Sequence, residues 1–65
     1  MKIWVVEILD RCDFNRVLKR MAFANETSAD RWGRSASQSL LEKKSKEDRE
    51  YFDPQPDKTE MELEN

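Results

Sequence analysis

Sixty-five residues, 37% hydrophobic and 40% charged, allow one domain with a thin core, because so short a chain buries a smaller share of its surface than a typical domain of about 100 to 150 residues. With no histidine, one cysteine and one glycine, the chain cannot supply a four-ligand Cys/His zinc site, an internal disulfide or a glycine-rich phosphate loop. The net charge of −2 is segregated: eleven Lys/Arg face eight Asp/Glu up to residue 49, and one lysine faces six acids beyond it, a mildly basic body with an acidic tail.

The Met1-Lys2 start precedes only four apolar residues before Glu7 and Asp10 intervene, too short a run for a secretory signal and far short of the roughly 20 that a membrane helix needs. Over 2–10, Trp4, Val6 and Ile8 fall on one face of an extended chain and Ile3, Val5 and Leu9 on the other. These β-branched and aromatic residues predict a strand. Apolar residues on both faces predict a central or doubly covered one.

Segment 14–24 carries two patterns. Phe14, Val17, Leu18, Met21 and Ala22 follow the i, i+3, i+4, i+7, i+8 template of an amphipathic helix begun by Asp13. A strand over 16–24 instead puts Val17, Met21 and Phe23 on one side and leaves Arg11 to Asn15 as a hairpin connection, though without the glycine that short hairpins favour. The strand is preferred, since one isolated strand cannot satisfy its own backbone groups.

From Asn25 the period changes. Asn25 suits an N-cap, Glu26 complements the helix dipole, and Ala29, Trp32, Ala36 and Leu40 recur at three or four residues. Gly33 beside this stripe costs about 1 kcal/mol in helix propensity; close approach of the helix to the sheet is its structural use. At Lys43 and Glu47 the stripe fails, so 42–50 reads as a solvated or fraying helix, with Tyr51 back on the stripe if the helix persists. Pro54 ends any helix by Asp53. The proline-containing, acidic remainder predicts disorder in isolation. The expected architecture is α+β, a small ββα unit in which a β-hairpin packs on one amphipathic helix. Its domain spans 1–52 and a disordered acidic tail 53–65, with Trp4, Phe23, Trp32 and Leu40 as anchors.

Catalytic candidates are scarce. Cys12 has no histidine to activate it, and two acids, Asp10 and Asp13, stand on either side of it. Asp10, Asp13 and Asn15 superficially match calcium-ligand spacing but lack the loop glycine and terminal glutamate. No catalytic, cofactor-binding or metal-binding residue is assigned, no cofactor is expected, and the chain reads as a non-enzyme that binds.

Candidate partner-binding residues fall in three places. Leu41 lies about 180° around the helix from Trp32 and, with the doubly apolar first strand, points to a protein interface, including a homodimer through helix or sheet. Arg31 and Arg34, on the face away from Trp32, would serve the alternative function, a nucleic-acid-binding regulator. Met61 and Leu63, set among Glu60, Glu62 and Glu64, form a segment able to order on a basic partner.

The run KIWVVEIL, a short connection, and RMAFANETSADRW before a charged helix resembles small accessory proteins encoded in the early regions of tailed bacteriophages. There a hairpin ending in Phe-Ala-x leads into a capped helix with Ala and Trp inside; here the residues are Phe23, Ala24, Asn25, Ala29 and Trp32. Over about residues 2–41 the likeness is one of pattern and transfers no functional residue. It implies a non-enzymatic role in binding and modulating a host protein, often a host factor or defence system. It also implies a bacterial cytoplasmic setting, which the single unpaired thiol suits.

Overall fold

The computed structural model describes residues 1–64 and has the order β1 (Lys2–Asp10), β2 (Arg16–Phe23), α1 (Glu26–Glu42), a 3-10 turn (Asp48–Tyr51) and β3 (Pro54–Glu62). The three strands form one antiparallel sheet in the order β2-β1-β3. The doubly apolar strand is therefore central, as its composition predicts. The Cα trace extends 47 × 21 × 11 Å, a slab one sheet and one helix thick.

Segment 14–24 resolves as the strand. Its turn achieves without glycine what glycine usually supplies: Arg16 N–H donates to Asp13 O at 3.0 Å, and the central residues Phe14 and Asn15 both have positive φ, 52° and 58°. That sign at both positions marks the turn whose twist matches a hairpin. Between Ile8 and Leu9 the register shifts, so Ile8 opposes Lys19 while Leu9 opposes Val17. The extra residue, Leu18, packs against the core. Val17 shares Leu9's face, not the side of Met21 and Phe23 on which strict alternation from 16 to 24 would place it.

Asn25 caps α1 as expected, its side-chain oxygen accepting from Ser28 N–H at 3.0 Å. The buried line of the helix is Ala29, Gly33 and Ala36, centred on the glycine. Trp32 is half-buried on the β2 flank, its ring centroid 5.7 Å from that of Phe23. Val6 and Ile8 of β1 complete the fully buried core with Ala29 and Ala36; Trp4, Phe23, Trp32 and Leu40 pack around it half-buried. The anchors expected from sequence are thus the walls of the core, and its centre is built of smaller residues. Beyond Glu42 the helix does not continue. Arg49 Nε donates to the carbonyls of Leu41 and Lys44, each at 3.2 Å, closing the C-terminus with a cation where the dipole favours one. Tyr51 consequently stays exposed.

The expected disordered tail is corrected by β3, which runs along β1 from Lys2↔Glu62 to Asp10↔Pro54. Leu63 N–H donates to Met1 O at 2.7 Å, and Asp53 O accepts from Arg11 N–H at 2.9 Å. Odd-numbered residues therefore direct their backbone groups at β1. Pro54 and Pro56 fall on the even parity, whose N–H would point outward, the one place an edge strand tolerates proline. Pro54 is buried, and Pro56 lies so close to α1 that a Cβ on Gly33 would sit 3.0 Å from its Cβ and 3.3 Å from Val6 Cγ1. Gly33 thus permits the close approach its position suggested, and the surface it admits belongs largely to the segment expected to be disordered.

Candidate interaction site

Because paired residues on neighbouring strands share a face, the register divides the sheet into two surfaces. The even-numbered residues of β1 and β3 lie under α1. There Lys58 Nζ donates to Glu26 Oε2 at 2.9 Å and to Asp30 Oδ1 at 2.8 Å, fastening β3 to the first turns of the helix. These two hydrogen-bonded carboxylates hold the lysine above its ordinary pKa.

The opposite face carries no helix. Ile3, Val5, Glu7 and Leu9 of β1 run along its middle, with Val17, Arg20 and Ala22 of β2 on one side and Gln55, Asp57, Thr59 and Met61 of β3 on the other. Val5, Glu7, Arg20, Thr59 and Met61 line one shallow depression there. Arg20 Nη2 lies 2.8 Å from Glu7 Oε2. Asp57 is the cross-strand neighbour of Glu7, and among the described residues it has no ion pair.

A second feature stands at one end of the slab. Phe14, at the hairpin tip, is 99% exposed, and Tyr51 is 79% exposed. Asp13, Arg16, Lys44 and Tyr51 border one depression at this end. Beneath the tip, Asp10 is buried with 4% exposure, its Oδ1 accepting from Cys12 N–H at 3.0 Å and Asp53 N–H at 3.2 Å. Asp13 pairs with Arg16 at 3.3 Å. The acidic cluster near Cys12 is accounted for by these bonds, which stitch the hairpin loop to the entry of β3; Cys12 itself is exposed.

The residues singled out from sequence are not brought together. Leu41 is half-buried on the β3 flank of α1, not exposed on its far side, because the helix is rotated to place Gly33 over the sheet. It borders a groove with Arg34, Ser37, Pro54 and Pro56. Arg31 and Arg34 are exposed, and Arg34 also lies beside Asp30 and Lys58 in the neighbouring groove. Met61 is opposite Ile3 on the open face, and Leu63 is bonded to Met1. The basic segment on which this end of β3 orders belongs to its own chain: Lys2 Nζ lies 3.2 Å from Glu60 and the Met1 amino group 3.1 Å from Glu62. Arg16 and Arg20, two basic residues of β2 that could extend a nucleic-acid surface, are each engaged with an acid.

From sequence Phe14 is the first apolar position of the alternative helix or, with the strand preferred, part of the connection; neither reading makes it a binding residue. The available signal was the missing glycine in that loop, which forces an ordinary side chain into a left-handed turn. Among the described residues no helix is long and apolar enough to cross a membrane. No protein-family model matches the chain, nor does any curated protein or solved structure.

Proposed function

We propose that the protein is a non-enzymatic interaction module, of the phage-accessory kind its strand-and-helix pattern resembles, that binds a protein of the bacterial host cell with the hairpin tip as its anchor. The observation that carries this reading is Phe14: a fully exposed aromatic at φ 52°, where a side chain costs about 1 to 2 kcal/mol relative to the right-handed region. The hairpin requires that backbone conformation, but the phenyl ring standing there has no return for the cost within the free chain, since it packs on nothing. Burying a phenylalanine in a partner's pocket is worth about 1.5 to 3 kcal/mol, enough to offset it. Backbone strain and exposed aromatics both concentrate at binding sites. Tyr51 at the same end enlarges the contact, and the lysine and arginine around it supply a polar rim.

The test is affinity capture from bacterial lysate with the chain and its Phe14→Gly variant side by side. A host protein held by the parent and lost from the variant supports the reading. Identical captured sets, or none with the parent, would remove the hairpin tip as the anchor.

A further inference from the structure

We propose that the open face of the sheet is a self-association surface, and that its occupant is a second copy of this chain related by a half-turn about an axis running close to the direction of β1. This surface is separate from the hairpin tip, so the two readings stand or fall independently.

The argument starts from the apolar row. Ile3, Val5 and Leu9 are half-buried by their own neighbours, yet no element of the described chain covers them, while the same strand's other row is sealed by α1. A half-turn along β1 lays this row on itself, Ile3, Val5 and Leu9 against Ile3, Val5 and Leu9 of the copy, as the inner faces of a sandwich meet at about 10 Å.

Charge then selects this occupant and orientation. Across the middle of the face runs the band Arg20, Glu7, Asp57, one residue per strand. Arg20 neutralises Glu7; Asp57, beside Glu7 on the other flank, has no counter-ion among the described residues, and like charges on adjacent strands repel. The half-turn exchanges the flanks, so β2 of each copy faces β3 of the other and Arg20 meets the copy's Asp57 twice. The two Glu7 side chains face one another across the axis, each already held by its own Arg20. A two-fold about an axis across the strands would instead set Arg20 against Arg20 and Asp57 against Asp57.

Size sets the strength. Nine-residue strands at about 3.3 Å per residue and about 4.8 Å apart make a face of roughly 30 by 14 Å, smaller than the roughly 800 Å² per partner of a stable complex. The pair therefore belongs to the weak, transient class.

Sedimentation equilibrium from about 10 μM to about 1 mM tests this, with circular dichroism to verify folding. The parent chain should rise toward twice its monomer mass. Arg20→Asp and Asp57→Arg should each remain monomeric, because each sets like charges against one another in a pair of identical copies. Mixed in equal amounts they should form a heterodimer, because both contacts between positions 20 and 57 across the pair are then between opposite charges. A parent that is monomeric at about 1 mM, single variants that associate like the parent, or a mixture that stays monomeric would each overturn the proposal. Should a charge variant unfold, Val5→Lys gives a second reading on the apolar row: it should abolish association, and an unchanged dimer would equally overturn the proposal.

Discussion

Phe14 and Asp10 sit four residues apart and show opposite uses of a side chain in a turn. Phe14 holds the left-handed conformation that the hairpin requires and that suits glycine, and its ring gains nothing for the isolated fold. Phe14→Gly should therefore raise stability by about 0.5 to 1 kcal/mol in urea titration, after the entropy of glycine in the unfolded chain is counted against the relieved strain. If the hairpin tip is the anchor, the same substitution abolishes capture, so stability and binding move in opposite directions. Asp10 is the reverse case, a buried carboxylate whose one oxygen serves the N–H groups of Cys12 and Asp53. Asp10→Ala leaves both donors without this partner and should cost about 2 kcal/mol, whereas Asp10→Asn keeps an acceptor and should cost about half of that or less. Equal losses in the two variants by thermal or urea unfolding would show that these bonds are not the residue's role.

At the scale of elements, the seam between α1 and β3 decides the architecture. Gly33 is a poor helix former at the centre of the buried line, and Gly33→Ala gains about 1 kcal/mol in propensity. The new methyl, however, meets the rigid Pro56 ring at 3.0 Å and Val6 at 3.3 Å. Overpacking of this kind typically costs about 1 to 3 kcal/mol; the variant should be destabilised by about 1 kcal/mol net, read from the urea midpoint, and a stabilised variant would mean that β3 does not seat as described. Lys58 fastens the other end of the seam, and its raised pKa carries a definite sign. The protonated form is favoured in the folded chain, so the contribution is fully present below the lysine's ordinary pKa near 10.5 and is lost as pH rises through the higher folded value. Replacing Lys58 with Met should lower stability at neutral pH and flatten the alkaline decline above about pH 10, as measured by thermal unfolding across pH 8 to 12.

For the whole molecule, segregated charge is a means of closure. The acidic final strand lies beside β1, reaching Lys2 and the amino group of Met1 at one end, and reaches over the sheet to the helix through its single lysine. The chain cut after residue 52 loses the strand that covers one edge of β1, together with Pro54, Pro56 and the Lys58 bridge. It should fail to fold cooperatively, with circular dichroism and amide dispersion in NMR as the readout; a folded 1–52 fragment would support the boundary that composition suggests. The slab also separates two surfaces, the open sheet face for which self-association is proposed and the aromatic end proposed to anchor a host protein.

Local chemistry determined much of this without tertiary information. The β-branched run at 2–10 and its two apolar faces specify a central strand, and Asn25 with Glu26 marks the start of the helix. The Ala29 to Leu40 spacing selects the inward side to within one residue. Met61 and Leu63 alternating with glutamates already hold the period of a strand, but the two prolines and five acids of 53–65 outweigh it, because composition cannot show which backbone N–H groups face outward or which lysine and amino group lie opposite. The rotation that centres Gly33, brings Leu41 toward β3 and leaves Trp32 at the flank depends on the Pro56 ring, twenty-three positions away in the chain. The left-handed conformation of Phe14 is likewise a consequence of pairing. Once β2 is held against β1, its turn must adopt the twist that joins them, whatever side chain stands there.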